Sequence, residues 1–165
     1  MLYSMICLTK KYGLIAICAI SFALASCSRF MGYGMLLWDI PERDLRDGDI
    51  LPVYIRSNIS HTYAVSAPGS KERFDIPLWQ ITTPASRRET KKTKLRYAEF
   101  LHRYASVKLD GLPVRAEPGN TARQVYRLRK GEIIKILYKG KGQAVMVGSD
   151  ALEGDWLRVL TSNGT

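Results

Sequence analysis

Hydrophobic positions along this chain fall mostly into short runs. Met35-Leu36-Leu37-Trp38 ends at Asp39 and Pro41, and Ile50-Leu51-Pro52-Val53-Tyr54-Ile55 follows the turn chemistry of Asp47-Gly48-Asp49. Thr62-Tyr63-Ala64-Val65 follows Asn58 and stops at Ala67-Pro68-Gly69-Ser70, and Phe74 to Ile81 alternates in part around Pro77. Short apolar runs at intervals of about ten residues, separated by turn formers, predict a small β-meander or barrel over 35–81. Trp38 and Trp79 are expected in its core or on one rim. The period then changes. Tyr97, Phe100, Leu101, Tyr104 and Ala105 recur at helical spacing and predict an amphipathic helix. Ahead of them crowd Arg87, Arg88, Lys91, Lys92, Lys94 and Arg96, with Glu89 as the early counter-charge. Cations at a helix N-terminus oppose the macrodipole, so the helix is expected to begin near Thr93. The basic run is then a solvated face or a patch for anionic lipid or cell wall. From Ser106 the pattern is β again. Val107-Lys108-Leu109, Leu112 to Arg115, Val125 to Leu128, Ile133 to Tyr138, Gln143 to Val147 and Trp156 to Leu160 alternate with Gly-containing turns.

One apolar stretch differs. Lys10-Lys11 precedes an uninterrupted run from Leu14 to Ala25. About 12 residues span roughly 18 Å as helix, against a hydrocarbon core of about 30 Å, which suits a secretory leader better than a membrane span. The run closes on Leu24-Ala25-Ser26-Cys27, which resembles the lipobox of bacterial lipoproteins. That resemblance implies cleavage between Ser26 and Cys27, and palmitate-type acyl chains on Cys27. Residues 1–26 are then a signal peptide, 27–34 a short lipid tether, and the protein is membrane-anchored in the cell envelope, periplasmic or surface-facing. Two or three acyl chains on one residue anchor far more firmly than one.

Beyond the leader about 140 residues remain, enough for one ordinary domain or two small ones. The formal charge is +10, with Lys10 and Lys11 supplying two of those charges. A basic exported chain prefers anionic surroundings. Nucleic acid fits the charge but not the leader. The cysteines are Cys7, Cys18 and Cys27. Two leave with the leader and the third is acylated, so no thiol nucleophile, disulfide or cysteine metal ligand is expected in the mature body.

The last third resembles the bacterial SH3 (SH3b) domain. Leu112-Pro113-Val114-Arg115 stands where that family has Leu-Asn-Val-Arg, with Pro118 following. Leu128-Arg129-Lys130-Gly131-Glu132 matches the turn before the central strand, Asp155-Trp156-Leu157-Arg158-Val159 a Trp-x-x-Val strand, and Asn163-Gly164 the next turn. The family continues past this turn with one more strand, so the chain is expected to be cut short at Thr165. With the lipobox, the whole chain is similar to spirochaete SH3-domain lipoproteins. The fold class expected is therefore mostly β: an SH3-like barrel over 106–165, preceded over 35–105 by a β-meander or barrel and one amphipathic helix. What the resemblance implies is a non-catalytic binding module for cell-wall peptide or peptidoglycan. Arg115, Tyr138 and Trp156 are the candidate ligand contacts. The alternative is a structural protein docking on an envelope partner.

Motifs for chemistry are sparse. His61 and His102 lack the spacing of a zinc site. Asp44, Asp47 and Asp49 suggest a calcium loop, but Ile55 stands where the closing Glu belongs. Gly140-Lys141-Gly142 lacks the spacing of a phosphate loop. No catalytic residue, metal or cofactor is expected.

Overall fold

The structure is a computed structural model that describes residues 30–119, 121–142, 145–147, 150–152 and 154–165. Ser26 and Cys27 lie outside the described residues, so the leader and its cleavage remain sequence readings. Among the described residues no helix is long and apolar enough to cross a membrane.

β1 (Gly32–Met35), β2 (Ile50–Ser57), β3 (Thr62–Ser66) and β4 (Arg73–Pro77) pair antiparallel in chain order. The two-residue period of β2 and β3 sends Leu51, Val53 and Val65 inward, where each has 0% exposure. Leu36, Leu45, Tyr63, Ile76 and Ile81 complete this core. Each fully buried side chain of this size contributes about 1.5–3 kcal/mol. The fourth predicted strand is shorter than its apolar run. β4 stops at Pro77, and Leu78–Gln80 turns as a 3₁₀ helix. The chain then runs back along β1: Tyr33 N–H donates to Ala85 O at 2.8 Å and Thr82 N–H to Met35 O at 2.9 Å. That return closes the sheet into a barrel. Gly32 makes it possible, with φ of 141° and a notional Cβ only 2.6 Å from Ala85 O.

The helix lies earlier than the apolar spacing predicts. α1 (Arg87–Arg96) occupies the basic run itself, and Tyr104 and Ala105 belong to β5 (Tyr104–Ser106). A capping box decides this. Ser86 Oγ accepts from Glu89 N–H, while the Glu89 carboxylate accepts from Ser86 N–H. This local bonding outweighs the first-turn cations, whose opposition to the dipole costs about 0.3–1 kcal/mol each. After α1 a 3₁₀ turn, Ala98–Phe100, buries Phe100.

The rest is β6 (Leu112–Arg115), β7 (Gln124–Leu128), β8 (Ile133–Gly140), β9 (Val145–Val147), β10 (Asp150–Leu152) and β11 (Trp156–Thr161). β8 is central, flanked by β11 and β5, while β6–β7 and β9–β10 form hairpins. Among the described residues Val107, Leu128 and Ile134 form a core cluster, with Ala105, Val114, Tyr126 and Val159 packed around them. Gly131, at φ 84°, makes the predicted turn before β8. Glu132 holds that turn by accepting from Arg129 N–H at 2.9 Å.

Candidate binding cleft and the junction behind it

Between β1 and β2 the chain makes a long excursion. Ile40 and Leu45 bridge to each other, and Pro41–Arg43 forms a 3₁₀ turn at its tip. Trp38 stands at the base of this loop and Trp79 in the 3₁₀ turn after β4. Their rings meet edge to face at 6.0 Å and 80°. Trp38 also meets Tyr104 of β5 at 5.4 Å and 87°. Gly164 packs its backbone on the Trp79 indole, where a notional Cβ would come within 2.5 Å of the ring. The two tryptophans are thus braced from both halves of the chain.

In front of them opens a cleft of about 430 Å³, with Asp39, Glu42, Arg43, Phe74 and Asp75 among its lining residues and Ser162 at one side. That size lies within the usual range of about 300–1,000 Å³ for small-ligand sites. Arg43 stacks its guanidinium 4.0 Å over the Phe74 ring and lies 3.4 Å from Glu72 Oε1. Three lining carboxylates face one guanidinium, so the cleft is locally acidic in a basic chain. Aromatic faces beside carboxylates suit a ligand with an amino group.

Behind the cleft lies a buried ion pair. Asp47, 2% exposed, contacts Lys135 Nζ of β8, itself 2% exposed. Lys135 Nζ also donates to Phe100 O at 2.6 Å and lies 4.9 Å from the Tyr104 ring centroid. Asp47 Oδ2 accepts from His102 N–H at 2.7 Å, and Asp47 N–H donates to Asp39 Oδ1 at 2.7 Å. The His102 Nδ1 atom lies 2.5 Å from Asp47 Oδ1, and that buried oxygen accepts no hydrogen bond among the described residues. His102 takes φ of 58° to present both its amide and its ring here, a conformation that costs a non-glycine residue about 1–2 kcal/mol. Burial by itself raises the Asp47 pKa. The hydrogen bonds from Lys135 and His102, with their charges, more than reverse this and hold the carboxyl below its ordinary value. Burial pushes the Tyr104 phenol well above its ordinary value, helped by the nearby Asp47 and Asp39 charges.

Asp39, Asp47 and His102 each bring one ligand-type atom within 4.8 Å of the others. Those donors are committed elsewhere: an ammonium sits on Asp47, and Asp39 accepts a backbone N–H. The set is a junction between the first barrel, the linker and β8.

The three ligand contacts expected from sequence lie elsewhere. Arg115 is half-buried and ties its own loop, donating from Nη1 to Ala122 O at 2.7 Å. Tyr138 is 59% exposed on β8. Trp156 opens β11 opposite Gly140, so it shares a sheet face with Tyr138. None of the three lines the Trp38–Trp79 cleft. The sequence placed those tryptophans in the core or on a rim, and the rim holds them. Lys135 carried a signal of its own, a charge inside Ile133-Ile134-Lys135-Ile136-Leu137 where apolar residues cover both faces.

Two small antiparallel β units, one a closed barrel with an aromatic cleft between a long loop and a 3₁₀ turn, define a tandem of SH3-type modules. Comparison with known families agrees. Residues 31–99 match a family model described as the TP0260 family, N-terminal SH3 domain, and residues 110–165 match the bacterial SH3 domain. The chain therefore carries two SH3 domains. The first was beyond the reach of motif reading, because its residues hold no motif of the kind found in the last third. The chain is 46% identical over 142 residues to an uncharacterized protein of Treponema pallidum (strain Nichols), a match covering 86% of this chain. It spans 31% of that relative's length. No solved structure matches the chain.

Proposed function

We propose that this chain is a non-catalytic binding module that takes a cell-wall peptide, such as the stem peptide of peptidoglycan, into the Trp38–Trp79 cleft while Cys27 holds it at a membrane. SH3 domains are typically binding modules rather than catalysts, and the bacterial SH3 match supports that coarser statement. The observation that carries the finer reading is the cleft itself. Edge-to-face tryptophans beside Asp39, Glu42 and Asp75 suit an amino group, and Arg43 suits a carboxylate. Wall stem peptides offer both. The anchor rests on the pattern from Leu24 to Cys27.

The test is pelleting of the protein with purified peptidoglycan sacculi at low and high salt. Saturable binding that persists at high salt is expected, because screening weakens bare charge attraction. Glu42→Gln with Asp75→Asn, both exposed positions, should weaken it about tenfold. Tyr138→Ala should leave it unchanged, and loss there instead would move the site to the β8–β11 face. No pelleting at either salt would favour docking on an envelope protein.

A further inference from the structure

The outer face of α1 is a second surface, unrelated to the cleft. At about 100° per residue the helix sorts its side chains cleanly. Buried Thr90 and half-buried Thr93 and Lys94 mark the inward side. The opposite side is centred on Arg88 and Leu95, flanked by Lys91 and Lys92, with Arg87 and Arg96 at the margins. Leu95 is 75% exposed, so a bare leucine stands in a ring of cations. Glu89, the one acidic residue of the helix, is engaged by Ser86 Oγ at 2.8 Å. Among the described residues, none of the helix cations lies within ion-pair distance of a carboxylate.

We propose that this face docks on a bilayer surface of anionic phospholipid, with the cations on headgroup phosphates and Leu95 entering the interface. A single exposed leucine is common on protein surfaces, but one centred among the cations of α1 fits an interfacial helix, which pairs basic residues with apolar ones. The placement agrees. α1 rides on β1, where Thr90 Oγ1 donates to Tyr33 O at 2.9 Å and the Arg87 guanidinium lies 5.5 Å from the Tyr33 ring centroid. β1 begins five residues after Cys27, a length that reaches about 18 Å at most. The proposal rests on the envelope reading above for its setting. Lipid and basic face would then be two signals for one membrane, a combination that anchors better than either alone.

The test uses protein purified from cells that express the full chain. Its mass reports separately whether Cys27 carries acyl chains, so a failed anchor and a failed helix face read differently. Flotation is measured on vesicles of phosphatidylcholine alone and of phosphatidylcholine mixed with phosphatidylglycerol. Any contribution of leader or acyl chain enters both, and their ratio isolates charge recognition. The parent should prefer the mixed vesicles. Arg88→Gln, Lys91→Gln and Lys92→Gln together should reduce that preference about a hundredfold. These side chains are solvent-facing, and an unchanged thermal melt confirms that folding is intact. Leu95→Asn, which removes the apolar side chain without adding charge, should weaken vesicle binding several-fold while leaving binding to soluble polyphosphate unchanged. A triple variant that keeps the parent's preference overturns the proposal. So does a Leu95→Asn variant that binds vesicles like the parent, since the face would then be a general polyanion patch.

Discussion

In the first barrel Leu36, Leu51, Val53 and Val65 have no exposed surface, while the buried Val107, Leu128 and Ile134 of the second retain 5%, 7% and 8%. Both turn some large apolar side chains outward, Ile55 and Ile59 in the first at 51% and 98%, Ile133 and Leu157 in the second at 47% and 46%. The central strand of the second gives one covered position to Lys135, whose ammonium reaches out to the first barrel. The first barrel thus carries its own core. Among the described residues the second has fewer fully covered apolar side chains, and it meets the first at the junction, where a buried charge on each side is paired with the other. Two modules of one fold class can therefore differ in how completely their described core positions are covered.

The largest expected effect is at Asp47. Asp47→Ala strands the buried Lys135 ammonium and should cost about 3–5 kcal/mol. Amide hydrogen exchange should show the second barrel losing protection before the first, and simultaneous loss in both would break the comparison. Asp47→Leu with Lys135→Met should recover most of that stability, because an apolar pair replaces a desolvated ionic one. Next comes the core. Leu51→Ala should cost about 4 kcal/mol and Leu128→Ala about 2 kcal/mol, read from denaturant midpoints at constant slope. Equal costs would mean that the second core is as tight as the first.

Acid should act through the junction as well. The Asp47 pKa is lower in the folded chain than in the unfolded one, so its stabilisation is complete above the unfolded value near pH 4. It is lost as pH falls through the lowered folded value. Unfolding free energy should decline below about pH 4, and Asp47→Asn should flatten that part of the decline. The smallest effect is local. Ser86→Ala removes the cap of α1 and should cost about 1 kcal/mol, leaving both barrels otherwise intact.

The strands were legible because alternation and turn chemistry agree over β2, β3 and β8. The second barrel was legible as a family because Leu112 to Arg115, Gly131-Glu132 and Trp156 to Val159 carry its pattern. The helix was misplaced by favouring apolar period over the Ser86–Glu89 capping box, which was present in the sequence. Asp47 read as turn chemistry, and nothing local distinguishes a turn aspartate from one that will meet a lysine 88 positions later. The cleft was hidden for the same reason: Trp38 and Trp79 become a site only when the long loop and the 3₁₀ turn are brought together by β1 pairing on both sides.

That double pairing has a mechanical consequence. β1 is gripped by β2 on one edge and by the returning segment at 81–85 on the other. Its hydrogen bonds run across the strand direction. A pull on the chain upstream of Gly32, applied along β1, therefore loads both rows in shear, and many bonds must yield together. A pull across the strand would instead peel them one at a time. A protein tethered from that end would meet tension with its strongest geometry first.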